Sequence, residues 1–266
     1  MIPLDDPMSL SLLFHLNSEP WLNDRAYQGG GGPQKRMTRP DALAEVVLPP
    51  PSSTALSSMF RRRFSCRAFH PGPIALDRVA LLLDAAYGLV GPLDVPDPEA
   101  FPHRTVPSAG GLFPLELFAI LRRIDGLEDG LYHYNAAGRA LSLHERGDLF
   151  PKLEPMFYTF PFIADANIVI ALAAVFPRSQ TKYGPRGYRY VLLEAGHVAQ
   201  NICLRAAEIE LATLCMGGFV DSALNAMLGL KSPYEGVVYT VAAGVPEPGG
   251  ARSAAALDED SLPAQP

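Results

Sequence analysis

Lys182 and Tyr183 stand side by side and are well suited to move a proton. They lie between an apolar run and a long helical pattern, in the kind of connection where functional residues concentrate. A lysine whose charge is disfavoured by burial or by a neighbouring arginine can act as a general base, and a tyrosine can orient it or relay the proton. Taken without the rest of the chain, the same residues are typical of an exposed polar loop.

A turn of small residues at 107–116 could bind a flat or anionic ligand. Ser108, Ala109 and Gly110 precede an apolar run that begins at Leu115. Because glycine lacks a side chain, a ligand can approach the main-chain N–H groups of such a turn closely. The same residue types also form ordinary turns, so this segment by itself leaves both interpretations open.

Arg63, Ser65 and Arg67 alternate along the chain, so an extended backbone would direct all three side chains to one face. Two guanidinium groups and a hydroxyl on one face can hold a phosphate, because arginine binds pairs of phosphate oxygens. The alternative is a solvated basic segment before a helix.

Met216, Gly217 and Gly218 follow the pattern of a long helix. The double glycine exposes backbone amides that could hydrogen-bond to the edge of a flat ligand. The alternative is a simple loop between a helix and the next element.

The periodicity of apolar residues predicts the elements that position these segments. It predicts helices over 76–89, 190–211 and 222–228 and strands over 115–124, 167–176 and 236–245. It also predicts a hairpin over 131–135 and 140–145, and short helical turns and loop over 150–166. Helices and strands are mixed without steady alternation, and no G-x-G-x-x-G follows a strand. The pattern therefore favours an α+β fold over a dinucleotide-binding domain.

Two residues within the predicted helices lead to sharper expectations. Asp77 is a candidate N-cap of the helix over 76–89. Gly196 lies inside the long helix, where glycine costs about 1 kcal/mol relative to alanine. Its presence suggests close contact with another backbone or with a cofactor.

The composition divides the chain into a body, 58–246, and two flanking segments. Residues 1–57 are predicted to form an extension, with a helical arm around Leu13 and Phe14 and a linker rich in glycine at 29–32 and in proline at 49–51. Residues 247–266 lack a periodic apolar pattern and are predicted to be a mobile tail. The arm is expected to pack on the body or on a partner subunit, with docking of a peptide or protein as the alternative.

The overall composition excludes several classes of function. Apolar residues make up 48% of the 266 residues and the net charge is −6, which suits a folded protein and disfavours nucleic-acid binding. The three cysteines, Cys66, Cys203 and Cys215, lack the spacing of metal ligands, so no metal is expected. No basic residue precedes the apolar residues at 10–16, and no apolar run could cross a bilayer. We therefore expect a cytoplasmic protein that binds neither nucleic acid nor membrane.

In combination, the motifs resemble those of the FMN-dependent nitroreductase-like superfamily and, within it, the SagB-type dehydrogenases or azoline oxidases. The resemblance spans about residues 58–246. It rests on Arg-x-Ser-x-Arg at 63–67, Pro-Ser-Ala-Gly-Gly-Leu-Phe-Pro-Leu-Glu at 107–116, Gly-Leu-Tyr-His-Tyr at 130–134, Lys-Tyr-Gly at 182–184 and Glu-Ala-Gly-His-Val-Ala-Gln-Asn at 194–201. It implies a central, mostly antiparallel sheet flanked by helices, in a homodimer with flavin sites at the subunit interface.

The resemblance also implies FMN as the cofactor and a role for each motif. The residues implied to bind FMN are Arg63, Ser65 and Arg67 at the phosphate, ribityl chain and pyrimidine edge, Ser108, Ala109 and Gly110 at the ring, and Met216, Gly217 and Gly218, with a glycine amide at flavin N5. Lys182 and Tyr183 match the pair to which the azoline-oxidising branch assigns proton abstraction.

The activity implied is oxidation of thiazoline or oxazoline rings to thiazoles or oxazoles in a ribosomally made peptide, in a complex with a cyclodehydratase. One alternative is an NAD(P)H-dependent FMN reductase of nitro, quinone or dehydroamino-acid substrates. Another is a flavin-stabilised scaffold subunit of a peptide-modifying complex. The fold alone does not decide between them.

Overall fold

The computed structural model describes residues 9–18, 43–44, 46–50, 52, 54–91 and 103–248. The glycine-rich part of the predicted linker, at 29–32, and residues 249–266 of the predicted tail lie outside them. The division of the chain into an extension, a body and a tail stays a prediction.

Nine strands are formed within the described residues: β1 Phe69–His70, β2 Ile74–Ala75, β3 Leu115–Leu121, β4 Ile124–Asp125, β5 Gly130–Asn135, β6 Ala140–Arg146, β7 Ile168–Val175, β8 Ala212–Met216 and β9 Glu235–Pro246. Seven of them build one sheet in the order β1-β9-β7-β3-β5-β6, with β8 paired to β9. All of its neighbours are antiparallel, whereas β2 and β4 form a separate parallel pair. The predicted α+β class with a central antiparallel sheet is confirmed.

The helices in the described part of the chain are α1 Ser9–Asn17, α2 Ala55–Arg62, α3 Leu76–Tyr87, α4 Phe150–Leu153, α5 Phe160–Ile163, α6 Phe176–Tyr183, α7 Arg186–Glu208 and α8 Asp221–Met227. Short 3-10 turns occur at Ala109–Gly111 and Glu154–Met156. None of these helices is long and apolar enough to cross a bilayer.

Side chains of β7 alternate between two hydrophobic cores, one on each face of the sheet. Ile168, Ile170 and Leu172 pack into a core shared with α3 and α7. Val169 and Ala171 pack into a second core, shared with α4, α5 and α8. Because both faces are covered by helices, the strand is apolar throughout, which is why its sequence shows a continuous run rather than an alternation.

The arm predicted at the N-terminal end packs on the body as α1. Ser11 accepts a hydrogen bond from Gln180 at 2.9 Å, and the ring of His15 lies edge-on to Phe176 with 5.0 Å between centroids. The arm therefore contacts the start and the middle of α6.

The structure corrects three details of the sequence analysis. Ala75, not Asp77, is the N-cap of α3, and Asp77 lies in the first turn. The long helix begins at Arg186, before the predicted residue 190. A Cβ built on Gly196 would meet no atom within 4 Å, so Gly196 makes no close contact with another described backbone.

Candidate active site

Three of the predicted segments project from one end of the central sheet. The turn at 108–114 leads into β3 at Leu115, which pairs with Ala174 near the end of β7, and α6 follows β7 directly. β8 ends at Met216, which pairs with Thr240 of β9. Because β9 is antiparallel to both β7 and β8, the end of β8 points the same way as the end of β7. The turn, α6 and the glycines after β8 therefore lie at the same end of the sheet. Strands β9 and β7 lie between β8 and β3.

Lys182 and Tyr183 converge on Gly110. The sequence analysis expected them in a connecting loop, but they are the last two residues of α6. A Cβ built on Gly110 would lie 2.8 Å from Nζ of Lys182 and 2.5 Å from Oη of Tyr183. Gly110 has φ +66°, in the left-handed region that glycine adopts most easily. The tertiary structure thus brings the small-residue turn and the Lys-Tyr pair into contact.

The two side chains of the pair differ in how firmly they are held. Lys182 is exposed, and its Nζ lies 5.4 Å from the centroid of the Tyr183 ring. Tyr183 is half-buried and lies edge-on to Tyr190, with 4.9 Å between ring centroids. The amine can therefore reach solvent or a substrate, while the tyrosine ring is packed in place.

α6 is attached to β3 and to the turn through Arg178. Its guanidinium forms an ion pair with Glu116 at 2.6 Å and donates to the carbonyl of Phe113 at 3.4 Å. His133 also contacts Glu116, at 2.8 Å. Burial alone would raise the pKa of Glu116, but the hydrogen bonds from His133 and Arg178 hold that pKa below its usual value. The carboxylate therefore stays charged and holds the helix that carries the Lys-Tyr pair.

Glu194 of α7 organises the turn, a role that the sequence analysis missed. Its carboxylate accepts hydrogen bonds from Tyr87 at 2.6 Å and from Ser108 at 2.5 Å. The Ser108 hydroxyl in turn accepts from the backbone N–H of Phe113 at 2.9 Å. The hydroxyl of Ser108 is therefore engaged inside the protein and shapes the turn, which leaves ligand contacts to the backbone around it.

Burial raises the pKa of Glu194, although hydrogen bonds from Ser108 and Tyr87 and the charge of Arg104 act in the opposite direction. The pKa of Tyr87 is raised by the same burial and by the nearby carboxylate. The signal that could have found Glu194 is its position: an acidic residue on the apolar stripe of α7, beside the buried Val191 and Ala195.

We expect Glu194→Ala to lower the free energy of unfolding by about 1–3 kcal/mol for each of the two hydroxyls that lose their acceptor. Glu194→Gln should cost less, since its amide oxygen can still accept from Tyr87. Urea unfolding at neutral pH measures both values. An alanine variant as stable as the wild type would show that the network does not hold the turn.

The raised pKa of Glu194 also predicts a pH dependence. The folded state binds this proton more tightly than the unfolded state, so its stabilising effect is complete below the ordinary glutamate pKa and is lost as the pH rises through the folded-state pKa. Relative to Glu194→Gln, the wild type should therefore gain stability as the pH is lowered from 7.

The alternating Arg63, Ser65 and Arg67 run alongside β8 in an extended backbone. Ser65 forms a parallel bridge with Thr213, and the N–H of Cys66 donates to the Thr213 carbonyl at 2.8 Å. This pairing places the arginine segment beside the strand that leads to Gly217 and Gly218. The residues before these glycines, for which a simple loop was the alternative interpretation, form β8, and Met216 is its buried last residue.

Neither Arg63 nor Arg67 forms an ion pair with a carboxylate among the described residues. Arg67 donates to the Ser65 carbonyl at 3.2 Å. A Cβ on Gly217 would approach only Tyr239, at 4.0 Å, and one on Gly218 would approach Tyr158, at 3.8 Å. Positive charge with no acidic partner among the described residues therefore lies beside β8, and open space lies next to the glycines that follow it.

The structure does not bring all the predicted residues into one contact group. No hydrogen bond or ion pair within the described ranges joins the arginine segment to Gly110, Lys182 or Tyr183. The described part of the chain also contains no group of three histidine, cysteine or acidic side chains that could hold a metal ion.

The profile of the Nitroreductase family matches residues 60–245. This chain belongs to the nitroreductase family. It is therefore a nitroreductase-like flavin oxidoreductase, and the match covers every residue of the site described above.

Three relatives align with this chain. MJ1384 of Methanocaldococcus jannaschii, which is named as a nitroreductase, is 35% identical over 187 residues, covering 70% of this chain and 90% of the relative. The microcin B17-processing protein McbC of Escherichia coli is 27% identical, covering 67% of each chain. The trifolitoxin-processing protein TfxB of Rhizobium leguminosarum bv. trifolii is 25% identical, covering 59% of this chain and 48% of TfxB. The chain thus spans about half the length of TfxB.

Two solved structures share the nitroreductase fold of this chain. A chain of the Escherichia coli microcin synthetase McbBCD complex with truncated pro-MccB17 superposes with a TM-score of 0.68 at 21% identity, covering 91% of this chain and 94% of that one. A nitroreductase-type structure from Desulfovibrio desulfuricans in complex with FMN superposes with a TM-score of 0.51 at 16% identity, covering 81% and 99%.

Proposed function

We propose that this chain is an FMN-dependent dehydrogenase that oxidises thiazoline or oxazoline rings of a ribosomally made peptide to thiazoles or oxazoles. The observation that carries the proposal is the convergence of Lys182 Nζ and Tyr183 Oη on Gly110. The similarity to McbC and TfxB, both named as peptide-processing proteins, supports a peptide as the substrate.

The residues beside β8 and the glycines after it fit FMN. Arg63 and Arg67 lack acidic partners among the described residues and would hold the phosphate, with Ser65 between them. The open space beside Gly217 and Gly218 would admit the edge of the flavin ring to their backbone amides. Backbone groups of the turn, at Ser108, Ala109 and Gly110, would contact the flavin ring as well.

Aromatisation of an azoline removes a hydride from one ring carbon and a proton from its neighbour. Bound FMN supplies the acceptor for the hydride. Lys182 Nζ would accept the proton, because it ends beside the turn that would face the ring. Enclosure of the amine by the bound substrate would favour the uncharged form that a general base needs. Tyr183, held by Tyr190, orients the amine or passes the proton on to solvent.

We also propose that the protein acts as a homodimer with flavin sites at the subunit interface, in a complex with a cyclodehydratase. Support for the dimer comes from the lack, among the described residues, of any hydrogen bond or ion pair between the arginine segment and the Lys-Tyr pair, since residues of two chains could then complete one site. Support for the complex comes from the fold shared with a chain of McbBCD.

A reductase that uses NAD(P)H is the second candidate, since MJ1384, which is named as a nitroreductase, is 35% identical. Anaerobic addition of NADPH and of an azoline peptide to the flavin-loaded protein separates the two. The dehydrogenase predicts that the peptide bleaches the flavin absorption and that NADPH does not. Rapid bleaching by NADPH alone, with no reaction of the peptide, would favour the reductase.

A further inference from the structure

Two cysteines that the proposed chemistry does not use lie side by side between α7 and β8. The Sγ atoms of Cys203 and Cys215 are 3.5 Å apart. A disulfide bond requires about 2.05 Å, so the sulfurs need to close by about 1.5 Å. Both residues belong to regular elements that the loop at 209–211 connects tightly. The pair is therefore held close to bonding distance by the fold.

The surroundings of the pair favour one thiolate and one thiol. The hydrogen bond from Cys215 lowers the pKa of Cys203 to about 7, with further lowering by Thr213 and by the charge of Arg63. The same hydrogen bond, together with burial, raises the pKa of Cys215. Such a pair combines a nucleophilic sulfur with a second sulfur within reach.

The three cysteines differ in burial and in the contacts of their thiols. Cys203 is buried, whereas Cys215 is half-buried. Cys66 is buried, and its thiol donates to the carbonyl of Ala68 at 2.9 Å. Cys66 therefore serves as the matched control within the chain.

We propose that Cys203 and Cys215 are an oxidation site that forms a reversible intramolecular disulfide when the protein meets a peroxide. One sulfur of the pair, as its thiolate, attacks hydrogen peroxide, so that an S–O bond forms, the O–O bond breaks and the released hydroxide takes up a proton and leaves as water. The other sulfur then attacks the oxidised one, so that the S–S bond forms, the S–O bond breaks and a second water leaves. Two thiols are oxidised and one peroxide is reduced to two waters.

The position of the pair couples this oxidation to the flavin site. Cys215 directly precedes Met216 and Gly217, and Arg63 acts electrostatically on both sulfurs. Where Arg63 holds the FMN phosphate, a step that rests on the proposed function, a bound phosphate offsets the charge that favours the thiolate. FMN should therefore slow the oxidation several-fold.

The test is a count of free thiols in the purified full-length protein before and after treatment with hydrogen peroxide. Alkylation under denaturing conditions, read by intact mass, should give three labels before oxidation and one after it. A reductant should restore three. Peptide mapping should find Cys203 joined to Cys215 and the remaining label on Cys66.

Serine variants of each cysteine test which sulfurs form the disulfide. Cys66→Ser should still lose both labels on oxidation, whereas Cys203→Ser and Cys215→Ser should form no intramolecular disulfide. Three labels retained by the oxidised wild type, or a disulfide that includes Cys66, would overturn the proposal without any need for a variant to fold. A disulfide that forms equally fast with and without FMN would leave the oxidation site standing and count against Arg63 as the phosphate ligand.

Discussion

Replacing Lys182 by alanine is expected to lower the rate of azole formation by about 10²–10⁴-fold, the usual contribution of a positioned general base. FMN binding should be unchanged, because Lys182 lies at the turn that would face the ring and not beside the arginine segment. The rate of conversion of a synthetic azoline peptide, followed by mass, and the visible flavin spectrum measure the two properties separately.

The matched control is Lys231→Ala, since Lys231 is also an exposed lysine and lies in the connection between α8 and β9. It should retain the wild-type rate. Tyr183→Phe keeps the packing against Tyr190 and removes only the hydroxyl, so its loss should be smaller than that of the lysine variant. Full turnover of the azoline peptide by Lys182→Ala would remove the lysine from the proposed mechanism.

Substitution Gly110→Ala should reduce activity by about 10²-fold while costing only modest stability. The added Cβ would lie 2.5 Å from Tyr183 Oη and 2.8 Å from Lys182 Nζ, so both side chains must move. The exposed lysine can move freely, whereas the tyrosine ring must shift against Tyr190, so the cost in stability stays modest. A displacement of about 1 Å at the reacting groups can cost about 10²-fold in rate.

Gly229→Ala is the matched control for the backbone. Gly229 has φ +67°, against +66° for Gly110, but a Cβ there would meet nothing within 4 Å. Both variants should lose about 1–2 kcal/mol of unfolding free energy from the left-handed backbone, and only Gly110→Ala should lose activity. Equal activity losses in the two variants would mean that the contact with Lys182 and Tyr183 has no part in catalysis.

The position of the turn depends on Glu194 and not on the glycines alone. The carboxylate accepts a hydrogen bond from Ser108, while Arg178 donates to the Phe113 carbonyl and joins the turn to α6. A variant that weakens either contact should therefore act on the same geometry as Gly110→Ala, but through the position of the turn.

Local patterns in the sequence determined most of the elements. The continuous apolar run of β7, the hairpin of β5 and β6 and the helical stripe of α7 depend on neighbours in the chain. Their predicted bounds agree with the structure within a few residues. The motifs also pointed to the nitroreductase family, because several short segments in one order are more specific than any one of them.

Other features depend on residues that are distant in the sequence, and only the tertiary structure decided them. Lys182 was expected in a loop because α6 is short and polar. The helix is stabilised by a contact distant in the sequence, the ion pair between Arg178 and Glu116 of β3. Glu194 looked like one more residue of a helix until the fold placed Tyr87 and Ser108 against it. The sequence by itself determined which residue types were available. The packing of the turn, α6 and α7 at one end of the sheet decided which of them meet, because local patterns carry no information on contacts between distant segments.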